Sequence, residues 1–427
     1  MHTHAPDPDV ASELDPKRGF TRTFSALAYR DFRLLWFTQI TNSAANWMQM
    51  VALPILVLQV TAGSELHLGL VMAARTAPAM VLGLFSGVMA DMWNRKTILL
   101  ITRFLVSALS VWFATVIVLG WVSLMDVYIF ALIRGATMAF DQPPRRAMVP
   151  SIVPGYLVTN AMALMTGSVQ IMRIVAAGVG GLMIVTLGAP SLFVALAVLY
   201  IIGIPLLLGL RVADHERAGY TGIKPVFRDI KESLQFAWST ASVRGVLIIA
   251  VLFFIFGIAF MQVFAPLLAT GPMNVGEGGF GIMVALMGFG GTVGTLAIAY
   301  VNPSHNRGRI LLTGMVVFGA LLVLSSWSTY VTMPVLTYGL VLLLGMGHSL
   351  FQPLITTIML QASPVNMRGR AMALLSYDRA LVSMGAAVAG FTAAAVGPQM
   401  AQITFGLVCI GATLLLTLVY PALRRVD

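Results

Sequence analysis

The ionisable residues singled out inside long apolar runs of this sequence are Arg75, Arg134, Arg173, Asp378 and Arg379, and three carboxylates, Asp91, Asp126 and Asp141, stand near run ends. A charge in an apolar medium is tolerated mainly where it is paired or lines a wet cavity, so such residues are the first candidates for chemistry. Asp378 is the one carboxylate well inside a run, about twelve residues from its start. A carboxyl group there suits a proton carrier, because its protonation follows whether its surroundings are dry, wet or cationic. A static ion pair with an arginine is the competing reading. Arg134, in mid-run, suits coupling or recognition of a negative charge. Asn42, Asn46 and Gln49, spaced four and three apart, share one helix face, as do Gln170 and Arg173. With Arg75, His348 and Arg379 they form the candidate lining of a cavity, although hydrogen bonding between helices accounts for them equally well. No His, Cys, Asp or Glu cluster has metal-ligand spacing, and neither a nucleophile elbow nor a phosphate-binding Gly-x-x-x-x-Gly-Lys is present. The sequence therefore points away from hydrolysis, ATP-driven work, a metal or an organic cofactor.

The elements that must position these residues follow from composition. Of 427 residues 58% are hydrophobic and 10% charged, and the mean hydropathy is +0.89, which leaves too little polar surface for a soluble protein. The chain reads as an all-α membrane protein. Twelve spans are expected near 32–58, 66–90, 97–120, 124–144, 156–186, 188–211, 245–270, 279–301, 308–327, 331–357, 366–395 and 398–421. The net charge of +10 is distributed one-sidedly: Lys and Arg fill the first 28 residues and the even-numbered loops, whereas the odd-numbered loops hold none. This is the positive-inside pattern, so both termini are expected on the cytoplasmic side of a bacterial cytoplasmic membrane. No basic patch interleaved with aromatics exists outside these loops, which excludes nucleic acid as a partner. The single cysteine, Cys409, allows no internal disulfide.

The organisation expected is a polar tail over 1–28, a six-helix bundle over 29–211, a loop over 212–243, a second bundle over 244–421 and a tail over 422–427. Within the central loop Phe227, Ile230, Leu234 and Trp238 recur at helical spacing opposite Lys224, Arg228, Lys231 and Glu232, which describes an amphipathic helix on the membrane surface. The halves repeat at an offset of 210 residues: Gln142-Pro143 aligns with Gln352-Pro353, Ala161 to Leu164 with Ala371 to Leu374, Ala176-Ala177 with Ala386-Ala387, and Gly180 with Gly390. Two bundles related by an axis along the membrane normal follow from it.

The stretch Gly87-x-x-x-Asp91-x-x-x-Arg95-Lys96, between the second and third runs, resembles the loop signature of the major facilitator superfamily. The segments Arg30-Asp-Phe-Arg33-Leu-Leu-Trp36, Trp47-Met-Gln49, Ala139-Phe-Asp141-Gln-Pro143-Pro-Arg145, Asn160-Ala161 and Arg368-Gly369-Arg370 resemble, in order and spacing, its bacterial enterobactin-exporter and macrolide-efflux branch. The resemblance covers essentially the whole chain. It implies the twelve-helix fold in two pseudo-symmetric bundles, a monomer with lipid, protons and a small-molecule cargo as partners, and the proton gradient as energy source in place of a cofactor. It also implies a gate at the even-loop surface built from Gly87, Asp91, Arg95, Lys96, Asp141 and Arg145. There Asp91, Arg95 and Asp141 would clasp helices 2, 4 and 11 when the cavity faces outward. One departure is plain: exporters of this kind commonly carry Gly-Pro three residues after the helix-five arginine, where this chain has Ala176-Ala177. The function expected is proton-coupled export of amphiphilic small molecules. The alternatives are an importer or facilitator on the same fold, and a sensor or lipid-handling protein that cycles no solute.

Overall fold

A computed structural model describes residues 23–211, 235, 238, 241–301, 306–331, 333–363, 367, 375 and 378–419, with the backbone alone at 81, 84–92, 241–242, 299 and 301. Twelve long helices account for nearly all of these residues. They are α1 (Arg30–Val60), α2 (Glu65–Met92), α3 (Arg95–Val118), α4 (Leu124–Ile152), α5 (Val158–Leu187) and α6 (Ala189–Leu208). The second set is α7 (Ala241–Leu252, continued to Thr270), α8 (Gly276–Val301), α9 (Arg307–Tyr330), α10 (Pro334–Ala362), α11 (Asp378–Val396) and α12 (Pro398–Val419). Ten are long and apolar enough to cross a membrane. Their outward faces carry side chains such as Phe104, Leu182, Leu296, Phe391 and Leu415, each more than half exposed. An apolar belt of that extent belongs against lipid.

Local chemistry sets the ends. Asn94 caps α3 by accepting from the Lys96 and Thr97 backbone amides, and Ser123 with Asp126 forms a capping box that opens α4. Asp126 thus serves a helix start. The turns into α6 and α12 each use a glycine at positive φ, Gly188 at 77° and Gly397 at 83°, and each is followed within two residues by a proline in the first turn.

Three differences from the expected spans matter. Helix α4 does not stop near 144: it runs through Pro143, Pro144 and Pro150 to Ile152, which puts Asp141 about 16 Å inside its end rather than at it. Each proline removes one rung of the hydrogen-bond ladder without ending a helix whose neighbours hold it in place. Helix α10 likewise runs past Pro353 to Ala362. Helix α7 contains two π-helical stretches, Phe253–Gly257 and Phe260–Phe264, which widen its turns in mid-span. Residues 1–22 and 420–427 and nearly all of 212–243, including Phe227, Ile230 and Leu234 of the expected amphipathic helix, lie outside the described residues, as does Arg368-Gly369-Arg370.

Packing gives two bundles. In the first, α1 lies against α5 and α6, α2 against α4, and α3 against α4 and α6; in the second, α8 and α9 both lie against α10, and α9 also against α12. The bundles meet where α2 crosses α11 and α5 crosses α8. Small residues make these approaches possible. A Cβ on Gly69 would come within 2.5 Å of the Gly390 Cα, and one on Gly181 within 2.8 Å of the Gly281 Cα. Both contacts lie toward the end that carries the odd-numbered turns. A Cβ on Gly167 of α5, in the other half of that helix, would meet open space.

Candidate functional site

The buried charges among the described residues belong to the first bundle. Arg75 on α2, Arg103 on α3, Arg134 and Arg145 on α4 and Arg173 on α5 are all buried, and Asp141 is the one buried carboxylate among the described residues. Arg145, fully buried, holds Asp141 in a forked pair one helical turn away: Nη2 donates to Oδ1 at 2.7 Å and Nε to Oδ2 at 3.2 Å. Its Nη1 donates to the Thr38 hydroxyl at 2.7 Å, and Asn42 Nδ2 donates to Asp141 Oδ2 at 3.1 Å. The pair therefore locks α4 to α1 with a geometry that suits a guanidinium and a carboxylate.

The remaining arginines have neutral partners. Arg134 Nε donates to Gln49 Oε1 at 3.2 Å and to the Tyr200 hydroxyl at 3.1 Å, and its guanidinium carbon lies 5.3 Å from the centre of that ring. Arg103 approaches the same ring at 5.6 Å and donates from Nη2 to the Thr38 carbonyl at 3.3 Å. Arg75 donates from Nη2 to Asn46 Oδ1 and from Nη1 to Met50 Sδ, both at 3.1 Å. Helix packing brings these groups close, since Gly135 of α4 presses its backbone on the Arg75 carbonyl. Arg173 lies midway along α5 over the Trp47 ring at 5.0 Å.

Most of the residues singled out by type and spacing thus converge: Asn42, Asn46 and Gln49 on the α1 face each meet a charged side chain from α2 or α4. Arg103, Tyr200 and Thr38 complete the cluster and were not anticipated. Arg103 could have been found, because it sits inside the third apolar run by the criterion that selected Arg75. Tyr200 carried no such signal, being one aromatic in an apolar helix.

The others stand apart. Asp378 opens the described part of α11 and accepts from the Arg379 backbone amide at 2.7 Å; it makes no ion pair among the described residues. His348 on α10 packs its ring 5.3 Å from that of Phe253, in an aromatic group with Phe318 and Phe351. Gln170 and the Arg379 side chain are half-buried. At the even-turn end Arg95 Nη1 donates to the Ala147 carbonyl at 2.8 Å, and Lys96 Nζ donates to the Leu208 and Leu210 carbonyls at the end of α6. Asp141 accordingly pairs with Arg145, while Arg95 serves a backbone acceptor on α4. Of Gly87 and Asp91 the backbone alone is described. No group of metal ligands occurs among the described residues. A cavity of about 840 Å³ between α5 and α8 is walled by Leu182, Val185, Ile282 and Phe289, all strongly exposed, so it opens toward lipid and away from the arginines.

The comparisons with known proteins agree with this architecture. The multidrug efflux pump Tap of Mycolicibacterium fortuitum is 28% identical over 377 residues, covering 85% of this chain and 89% of that protein. The enterobactin exporter EntS of Salmonella choleraesuis is 26% identical over 403 residues, covering 92% and 93%. The solved structure of a bacterial homologue of the lysosomal transporter Spinster, inward-facing and unoccupied, superposes with a TM-score of 0.66 at 15% identity, covering 93% of this chain and 96% of that one; it shares the fold. A family profile described as transmembrane secretion effector matches residues 21–426, and the chain belongs to that family of major facilitator transporters.

Proposed function

We propose that the chain exports amphiphilic small molecules across the bacterial cytoplasmic membrane by alternating access, drawing on the proton gradient and using no cofactor. The observation that carries alternating access is the one-ended seam. The bundles touch through Gly69 with Gly390 and Gly181 with Gly281, near the odd-numbered turns, and the other half of α5 presents Gly167 to open space. With termini and even-numbered loops in the cytoplasm, as the basic residues favour, this is a conformation closed outside and open inside, ready to load cargo from the cell. Tap and EntS, named as a pump and an exporter, support the outward direction. The protein works as a monomer whose partners are lipid, protons and cargo.

Asp378 is the proton carrier under this reading. Without an ion pair among the described residues in the inside-open form, it would meet Arg134, Arg75 or Arg173 only as the bundles rock, and gain or lose its proton accordingly. In that other form Asp91, Arg95 and Asp141 would close the inner gate. The test is an efflux-deficient host challenged with antibiotics and siderophores while carrying wild type, Asp378→Asn or Arg134→Ala. We expect resistance or secretion from wild type, its collapse when the pH gradient is dissipated, and its loss in Asp378→Asn. An Asp378→Asn protein that is folded, still pumps uphill and still moves protons would make Asp378 structural. Accumulation of the same compounds by wild type would establish import instead, the reading that the missing Gly-Pro pair on α5 favours.

A further inference from the structure

The first bundle holds more positive charge than it can neutralise. Five arginines are buried against one buried carboxylate among the described residues, and Asp141 is already engaged by Arg145. Arg75, Arg103 and Arg134 each donate to at least one amide, carbonyl, hydroxyl or thioether acceptor, although Arg75 Nε and Arg103 Nη1 stay without partners. Arg173 differs. It is 6% exposed, and among the described residues its guanidinium makes neither a hydrogen bond nor an ion pair. What it touches is the face of Trp47 on α1 and, across the boundary between bundles, the glycine surface of α8: a Cβ on Gly288 would fall 3.1 Å from its Cγ, and one on Gly291 3.3 Å from its Nη1. His348 of α10, within its electrostatic reach, brings no negative charge. A guanidinium is a planar fork of donors matched to an oxyanion, and leaving it dry and unpaired is costly.

We propose that Arg173 receives the carboxylate of an anionic cargo, with the cargo's flat apolar body lying along Trp47 between the bundles. This deepens the export reading and rests on it. The arginine reaches from one bundle to the bare backbone surface of the other, so an anion seated there touches both halves, and its arrival changes what the halves gain by closing around it.

The experiment uses the full-length protein in lipid nanodiscs, with no gradient, and measures equilibrium binding of three radiolabelled probes of one shape: 1-naphthoate, its neutral amide, and the ammonium analogue 1-naphthylmethylammonium. We expect saturable binding of the carboxylate at least about tenfold tighter than either analogue, a loss of about tenfold or more in Arg173→Gln, and partial recovery in Arg173→Lys, which keeps the charge without the fork. The wild-type series needs no variant to fold. Equal binding of the amide or the ammonium analogue, undiminished binding by Arg173→Gln, or no saturable binding of naphthoate would each overturn the proposal. Because the assay involves neither direction nor coupling, a host protected only from neutral or cationic antibiotics, together with absent naphthoate binding, would reject the anionic cargo and leave export standing.

Discussion

The two bundles share a backbone plan and differ in what they bury. At the offset of 210 residues Gly135 of α4, packed on the Arg75 carbonyl of α2, corresponds to Gly345 of α10, packed on the Met287 carbonyl of α8. Along those same helices Arg134, Asp141 and Arg145 correspond to Leu344, Phe351 and Ile355, every one of them buried. One half fills the site with an ion pair and a cation over a tyrosine; the other fills it with hydrocarbon and stacked rings. The lesson is that glycine contacts carry the symmetry of the fold, while the charges are free to be placed on one side of it. Leucine and phenylalanine show that the position can be filled without desolvating any ion, so the arginines are not there for packing.

That contrast can be broken most severely at Asp141. Asp141→Ala should leave the fully buried Arg145 without its carboxylate, and we expect a loss of about 3–5 kcal/mol, read as a large drop in melting temperature in detergent. The counterpart Phe351→Leu should cost about 1–2 kcal/mol, being a change of hydrocarbon shape alone. Equal melting of the two variants would mean that the first bundle does not depend on its charges.

A smaller effect sharpens the comparison at Tyr200. Tyr200→Phe removes the hydroxyl that accepts from Arg134 Nε but keeps the ring beneath Arg134 and Arg103, so a loss of about 1–3 kcal/mol is expected by the same measurement. No change would assign the contact to the ring face alone. The smallest effect is expected at His348, whose ring already stands among Phe253, Phe318 and Phe351. His348→Phe should alter stability by less than about 1.5 kcal/mol and leave efflux in cells unchanged. Loss of efflux by that variant, with the fold intact, would put chemistry in the second bundle and end the contrast.

The asymmetry was partly legible before any coordinates. The repeat was visible in the Gln-Pro, Ala-Ala and Gly matches because helix crossings admit only small residues, and so was the concentration of intramembrane arginines in the first half. The α1 face of Asn42, Asn46 and Gln49 was legible from spacing, and the structure turns each toward a different charged partner. Two things were not. The pairing of Asp141 with Arg145 was hidden because three prolines suggested a helix end near 144, whereas tertiary packing carries α4 on to Ile152. The π-helical turns of α7 were hidden because Phe253 to Phe264 reads as ordinary apolar helix; nothing in the residue types announces an extra residue per turn.

The glycine seam has a mechanical consequence. Helix α2 extends from Gly69 to Met92, about 35 Å along its axis, so each degree of tilt about the seam moves its far end about 0.6 Å. A tilt of about ten degrees therefore widens or narrows the far opening by about 6 Å. At its two glycine pairs the seam is backbone against backbone, so it works as a bearing at the short end of a long lever.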